Sequence, residues 1–161
     1  MEIGRGDRPR STTDAPLAFP PDLPPILVDR RALWEVLSNI MDNALKYTPS
    51  GGAIFVQILR QVASIPPYQG VVIADTGPGI PMQDRSHLFE RHYRGVQANT
   101  SIPGTGLGLA IARDLVYQMQ GEIHVFSPAA TSERLDVSIR EQIVATGNPG
   151  TAIVLWFEES D

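Results

Sequence analysis

The stretch RRALWEVLSNIMDNALKY at positions 30–47 determines the fold expected for this chain. Its apolar residues recur every three or four positions, which places them along one face of an α-helix: Leu33, Val36, Leu37, Ile40, Met41 and Ala44. Asp29 is a suitable N-cap, and the sequence Pro49-Ser50-Gly51-Gly52 interrupts the pattern. The spacing therefore predicts an amphipathic helix from Arg30 to Tyr47.

Three polar side chains of this helix lie along one border of its apolar face. With 100° between successive residues, Asn39, Asn43 and Lys46 fall at about 220° to 280° from Leu33. An amide oxygen is a suitable ligand for Mg²⁺, and an ammonium group binds phosphate. The same residues would equally suit a solvated helix face, so the helix alone leaves a ligand site and a plain surface both open.

The sequence on either side predicts an alternation of strands and helices. Patterns typical of strands occur at 26–28, 53–60, 71–74, 122–127 and 151–157. A helix is predicted at 107–120, and shorter ones near 82–92 and 133–143. The segments 64–70 and most of 76–108 are predicted to be loops, the second because it contains six of the 14 glycines.

Composition restricts the class of protein. The 161 residues include 13 basic and 18 acidic side chains, and the net charge of −5 disfavours general nucleic-acid binding. At 42% hydrophobic residues a disordered chain is excluded, and the lack of cysteine excludes disulfides and thiolate metal sites. This composition fits a reducing, cytoplasmic setting, and no segment has the roughly 20 apolar residues of a membrane span. Residues 1–20 are interpreted as a tail or linker and 21–161 as one domain.

The sequence contains two glycine-rich segments, one directly after a predicted strand and one directly before a predicted helix. Asp75-Thr76-Gly77-Pro78-Gly79-Ile80-Pro81 follows an apolar strand, so its carboxylate could accept a hydrogen bond from a ligand amine, although a simple turn has the same composition. Pro103-Gly104-Thr105-Gly106-Leu107-Gly108-Leu109 leads into a helix, where backbone N–H groups can bind an anion. Neither matches the dinucleotide or P-loop pattern.

Together these segments form an ordered set of four motifs. The chain resembles the catalytic, ATP-binding domain of sensor histidine kinases in two-component signalling, with motifs at 37–49, 75–81, 88–95 and 104–110. The resemblance implies a two-layer α/β sandwich of the Bergerat type, with a mixed sheet covered on one face by helices. The same fold is shared with gyrase-type, chaperone and mismatch-repair ATPases. It also implies ATP as substrate, Mg²⁺ as cofactor and a lid over ATP at 82–103.

The resemblance assigns roles to individual residues. On the base side, Asp75 would accept from the adenine amino group, with Tyr47, Gly77, Gly79 and Thr151 around it. On the phosphate side, Asn43 would bind Mg²⁺. The phosphates would be contacted by Asn39 and Lys46, by the γ-phosphate candidates Arg91 or Arg94, and by the second glycine segment: Gly104, Thr105, Gly106, Leu107 and Gly108.

Two departures from the family pattern are visible. His92 replaces a phenylalanine that members usually have, and about 20 residues at 130–149 separate the last two strands, which the family tends to join by a short turn. The insertion is interpreted as a tolerated surface elaboration.

Kinase activity is favoured over hydrolysis. The related hydrolases have a water-activating Glu at the position of Asn39, and an amide cannot take a proton. None of the three histidines, His87, His92 and His124, begins an acceptor motif. The expected partner is therefore a histidine on a separate dimerisation and acceptor domain, with a response regulator acting indirectly. The domain alone is expected to be monomeric, without nucleic-acid or membrane contacts. The alternative is a non-catalytic, nucleotide-binding regulatory module, and a less favoured one is a serine kinase of the anti-sigma-factor type.

Overall fold

The computed structural model describes residues 22–91 and 108–160. In chain order the helices are α1 (Arg30–Tyr47), α2 (Gly108–Gln118) and α3 (Val137–Ala145). The strands are β1 (Ile54–Gln61), β2 (Tyr68–Asp75), β3 (Glu122–Phe126) and β4 (Thr151–Glu158), and short 3₁₀ turns occur at Met82–His87 and Ala129–Thr131. No helix in these two stretches is both long and apolar enough to cross a bilayer.

Helix α1 has the bounds that its sequence predicts. The Asp29 carboxylate caps the first turn by accepting from the Ala32 N–H at 2.8 Å, and the Thr48 N–H closes the last turn on the Ala44 carbonyl at 3.0 Å. Val36 and Ile40 are buried on the predicted apolar face. Local periodicity and capping therefore specify this helix completely.

The four strands form one sheet in the order β1-β2-β4-β3. All three pairings among them are antiparallel, and Asp75 at the end of β2 lies opposite Thr151 at the start of β4. The expectation of a mixed sheet is thus wrong for the described strands, because β2 and β3, which run in the same direction, are separated by β4, which is antiparallel to both. The α/β architecture itself is confirmed.

Strand β2 begins earlier than expected. Residues 64–70 are predicted to be a loop, but the strand starts at Tyr68 and includes Gly70. Gly70 pairs with Trp156 of β4, and a Cβ atom on Gly70 would lie 2.7 Å from the indole ring. This glycine therefore makes room for a ring rather than a turn. The short strand expected at 26–28 is reduced to a single bridge between Ile26 and Glu159.

Apolar residues bury both faces of the sheet. On the first face α1 and α2 pack over a core that includes Ile73, Ile153 and Leu155. On the second face a separate core contains Val72, Ala74, Ala152, Val154 and Trp156, together with Leu135 and Ile143 of the insertion.

The insertion at 130–149 is therefore not a surface elaboration. Leu135 and Ile143 are only 2% and 1% exposed, and they cover the face of the sheet that was expected to lack helices. The expectation that helices cover only one face of the sheet is therefore wrong. The sequence pattern does not show this packing, because Val137 and Val144 on the same helix α3 are exposed and blur its apolar face.

Candidate functional site

The buried carboxylate of Asp75 lies at the end of β2, and its residue is 9% exposed. Its Oδ1 atom accepts hydrogen bonds from the backbone N–H groups of Gly77 at 2.9 Å and Thr151 at 3.2 Å. Burial raises the pKa of this carboxyl above its ordinary value, although both hydrogen bonds act in the opposite direction. Oδ2 accepts no hydrogen bond from residues 22–91 or 108–160, so one carboxylate oxygen is fixed and the other is available to a ligand donor.

The backbone after Asp75 is packed tightly against the end of α1. A Cβ atom on Gly77 would lie 2.9 Å from both the Tyr47 carbonyl oxygen and Asp75 Oδ1. The Thr76 hydroxyl accepts from the Ala53 N–H at 2.9 Å, and the Thr76 N–H donates to the Ala53 carbonyl at 3.1 Å. The structure thus brings the half-buried Tyr47 close to Asp75 and Gly77 at the end of β2.

Gly79 takes a backbone conformation with φ of +72°, in the left-handed region that favours glycine. A Cβ atom there would lie 2.8 Å from Pro149 Cγ and 2.8 Å from Ser127 Oγ. The first glycine segment therefore contacts α1 on one side and the end of the insertion on the other.

The polar border of α1 is adjacent to the start of α2. A Cβ atom on Gly108 would lie 3.9 Å from Asn39 Cβ, so the second glycine segment ends beside this helix. The buried Nδ2 atom of Asn39 has no hydrogen-bond partner among the described residues. Asn43 is half-buried and Lys46 is exposed. A buried amide donor without a partner is expensive, and a ligand oxygen beside α1 would satisfy it.

The Arg91 side chain forms an ion pair with α2 instead of facing the polar border of α1. Its guanidinium donates to Asp114 Oδ2 on α2 at 3.0 Å, and the two side chains are 65% and 42% exposed. The neighbouring Arg113 guanidinium lies over the Phe89 ring at 5.2 Å. An exposed ion pair of this kind adds little stability, so Arg91 can leave Asp114 at small cost.

Several predicted site residues lie outside the described residues. These are Arg94, Gly104, Thr105, Gly106 and Leu107, together with His92 and most of the expected lid.

Two residues in contact with the site were missed from the sequence. The Ser127 hydroxyl accepts from the Ile80 N–H at 2.8 Å and donates to the Gly150 carbonyl at 3.1 Å. The Asn148 side-chain amide donates to the Thr76 carbonyl at 3.1 Å. The only signal was the position of Ser127 just after a strand. Because β2 and β3 both run antiparallel to β4, their carboxyl ends meet at the same edge of the sheet.

The residues present fit a Mg²⁺ site with few ligands from the protein. No group of three or more His, Cys, Asp or Glu side chains that could hold a metal occurs in the described part of the chain. The available hard oxygen ligand near the unpartnered Asn39 amide is the side chain of Asn43, one helical turn away. Mg²⁺ usually keeps one or two protein ligands and takes the rest from phosphate and water, which agrees with this donor set.

Comparisons with known proteins relate this chain to a family of ATPases. Residues 28–161 match the family model described as histidine kinase-, DNA gyrase B-, and HSP90-like ATPase. The sensor histidine kinase Hik2 of Synechocystis is 44% identical over 138 residues, which are 84% of this chain and 29% of that protein. The adaptive-response sensory kinase SasA of Microcystis aeruginosa is 37% identical over 109 residues, 68% of this chain and 27% of that one. The chain thus spans less than a third of these relatives.

Two solved structures share the fold. The mycobacterial sensor histidine kinase MprB superposes with a TM-score of 0.64 at 33% identity, over 83% of this chain and 76% of that chain. Full-length ShkA, solved in complex with AMPPNP, gives a TM-score of 0.59 at 28% identity, over 86% of this chain and 24% of that chain.

Proposed function

Because the chain belongs to the histidine kinase-, DNA gyrase B-, and HSP90-like ATPase family, we propose that it binds Mg²⁺-ATP and positions the γ-phosphoryl group for transfer to a histidine of a dimerisation and acceptor domain. The observation that carries the proposal is the buried Asp75 carboxylate, held by two backbone N–H groups at the end of β2. Its relatives among sensor histidine kinases support the same reading.

Asp75 selects the base. Because both backbone donors lie on Oδ1, its second oxygen, Oδ2, accepts from the 6-amino group of adenine, whereas guanine would present a carbonyl oxygen at the same place. Gly77 and Gly79 let the backbone pass close to the base, Tyr47 forms one wall, and Thr151 fixes the carboxylate from β4.

The polar border of α1 binds the phosphates. Asn39 donates its unpartnered amide N–H to a phosphate oxygen, and Lys46 adds a positive charge. Asn43 would hold Mg²⁺, which when bound would supply charge neutralisation on the phosphates. The second glycine segment, which ends at Gly108 beside Asn39, adds backbone donors.

Transfer is favoured over hydrolysis because no general base stands at the position of Asn39. Phosphoryl transfer needs positioning and charge neutralisation more than covalent chemistry. Arg91, once released from Asp114, and Arg94 are the candidates to contact the γ-phosphate.

The proposal places the acceptor on another domain. Of the histidines, His87 Nδ1 lies 2.7 Å from Glu90 Oε1, and His124 Nε2 lies 3.1 Å from Glu122 Oε2. Both are on the surface without an acceptor motif around them. A response regulator would receive the phosphoryl group from the acceptor histidine. We expect the domain to be cytoplasmic, which fits the absence of cysteine, and monomeric on its own.

The experiment combines the chain, Mg²⁺, γ-labelled ATP and a separately purified acceptor domain from one of the sensor histidine kinases it resembles. We expect label on the acceptor that is lost in acid and kept in alkali, and no stable label on the chain alone. Asn43→Ala is the matched inactive variant. Acid-stable label would indicate a hydroxyl acceptor instead, and ATP binding without transfer would favour the regulatory module.

A further inference from the structure

Buried side chains and hydrogen bonds to β1 hold the insertion on the second face of the sheet. Leu135 and Ile143 are buried in the second core. The side chain of Gln57 on β1 donates to the Arg134 carbonyl at 3.3 Å and to Asp136 Oδ1 at 3.2 Å, and it accepts from the Asp136 N–H at 3.0 Å. The insertion at 130–149 therefore has a defined position relative to the strands.

Both ends of the insertion meet at the first glycine segment. The Ala129 N–H donates to the Pro149 carbonyl at 2.9 Å, which closes the insertion on itself. Just outside this closure, the buried Ser127 hydroxyl joins the Ile80 N–H to the Gly150 carbonyl. One side chain thus links β3, β4 and the backbone that follows Asp75.

Asn148 makes a second connection. Its side-chain amide donates to the Thr76 carbonyl at 3.1 Å, and its backbone N–H donates to the Thr146 hydroxyl at 3.1 Å, which orients the residue at the end of α3. Next to it the Gly150 N–H donates to the Gly77 carbonyl at 3.0 Å. Backbone groups of Thr76, Gly77 and Ile80 are therefore all held from the insertion side.

The fit between these parts is tight. Pro149 Cγ and Ser127 Oγ occupy the space that a side chain at position 79 would fill. Gly150, with φ of +64°, is in close contact with the Asp75 carbonyl, and its Cβ would lie 3.1 Å from Ile143 Cγ2. The glycine segment cannot shift without moving the end of the insertion.

We propose that Ser127 and Asn148 are positioning residues for nucleotide recognition, which hold the backbone of residues 76–80 so that the Asp75 carboxylate meets the adenine amino group. This inference rests on the proposed role of Asp75. The insertion then helps to form the base-binding site, and changing it should alter recognition of the base rather than binding of the phosphates. Asn39, Asn43 and Lys46 lie on α1, across the sheet from the insertion.

The test compares ATP and GTP binding, measured as Kd, in the full chain and in Asn148→Ala. Asn148 is exposed, so the variant should fold. Loss of the hydrogen bond from Asn148 to the Thr76 carbonyl, which orients residues 76–80, should weaken ATP binding about 5-fold to 10-fold. GTP binding should change less than about twofold, because GTP already lacks the contact between its base and Asp75. Gln142→Ala is the matched control, because its amide bonds only to the Ser138 carbonyl within α3. It should keep the parent's ATP to GTP ratio.

Asn148→Asp serves as a second variant that keeps size, removes the donor and brings a carboxylate to the Thr76 carbonyl, so it should weaken ATP binding at least as much as Asn148→Ala. Ser127→Ala should also speed hydrogen exchange of the Ile80 amide by about tenfold or more without any nucleotide. The melting temperatures of both Asn148 variants should stay within about 4 °C of the parent.

The outcomes separate this inference from the proposed function. If the parent binds ATP and GTP equally, the role of Asp75 fails, and this inference fails with it. If the parent prefers ATP and both Asn148 variants keep that preference, or lose ATP and GTP affinity equally, only the positioning role is overturned. A larger loss of melting temperature in both variants would make the effect one of stability and would overturn it as well.

Discussion

The backbone N–H of Thr151 donates a hydrogen bond to Asp75 Oδ1 across the paired ends of β2 and β4, over 3.2 Å. The two residues are direct neighbours in the sheet register. The carboxylate is therefore oriented by a neighbouring strand of the sheet, and its direction does not depend on a loop alone. This relationship makes Asp75 the most informative position for substitution.

Asp75→Asn should weaken ATP binding by about 2–3 kcal/mol, or roughly 30- to 150-fold. The amide keeps an acceptor for Gly77 and Thr151 but places an N–H₂ group opposite the adenine amine. Isothermal titration of parent and variant measures the change. Unchanged affinity, or equal affinity of the parent for ATP and GTP, would contradict the assigned role.

The same substitution should stabilise the protein without nucleotide. Burial holds the pKa of the Asp75 carboxyl above its ordinary 3.8. At pH values between the ordinary pKa of the unfolded chain and the raised pKa of the folded state, the folded state binds more protons than the unfolded state. The contribution of Asp75 to the free energy of unfolding therefore falls as pH rises. The advantage of Asp75→Asn should thus be small below pH 3.8, grow above it, and level off once the folded carboxyl is ionised.

Thermal unfolding across the acid range measures this difference. Glu159 has its pKa lowered by the hydrogen bond from Arg60 and contributes the opposite trend, but it is present in both proteins and cancels. Glu141→Gln, on the exposed side of α3, is the control for loss of one charge. A variant that is less stable than the parent at neutral pH would show that the carboxylate is not penalised by burial.

Asn43→Ala should remove the Mg²⁺ dependence of ATP binding and leave the fold intact. The side chain is half-buried beside the apolar face of α1 and does not belong to the core. Titration of ATP with and without Mg²⁺ gives the effect of the metal in each protein. If the variant keeps the parent's Mg²⁺ effect, another group holds the metal.

Lys46 should be protected from amine-reactive reagents by Mg²⁺-ATP. It is the only lysine in the sequence and is exposed, so the α-amino group is the other primary amine and serves as an internal control. ATP should shield Lys46 by salt bridging, and ADP should shield it less because it lacks the terminal phosphate. Peptide mass spectrometry quantifies both sites, and equal labelling with and without ATP would remove the phosphate role.

Ile143→Ala should destabilise the protein by about 2–5 kcal/mol, because it leaves a cavity in the second core. The neighbouring Val144 is 63% exposed, so Val144→Ala should change stability by less than about 0.5 kcal/mol. Denaturant unfolding compares the two. Similar small effects would mean that the insertion does not bury the second face of the sheet.

The elements that could be predicted from the sequence are those with local signals. Helix α1 has its apolar period within 18 consecutive residues and its caps at the two residues that flank them. Asp75 was placed at a strand end because four apolar residues precede it, and the structure puts it there. That Gly77 packs against the Tyr47 carbonyl was not predicted, and its expected closeness to a nucleotide base stays a prediction.

What could not be predicted depends on partners that are distant in sequence. Gly70 suggests a loop until the Trp156 ring that covers it is known. Leu135 and Ile143 show no clear period in the sequence, although both are buried in the second core. Ser127 and Asn148 contact the site only because the strand order brings two carboxyl ends to one edge. Tertiary context decides these positions, and short-range patterns carry little information about them.

Strand β4 comes last in chain order among the described strands, yet it lies inside the sheet between β2 and β3. During synthesis a chain can form α1 and the β1–β2 hairpin early, because those contacts are local. Strand β3 has no neighbour to pair with, and Asp75 lacks the Thr151 donor 76 residues away, until residues 151–158 have emerged. The ability to recognise a nucleotide is therefore acquired at the end of folding, so a nascent chain that stops before β4 should have no competent base site.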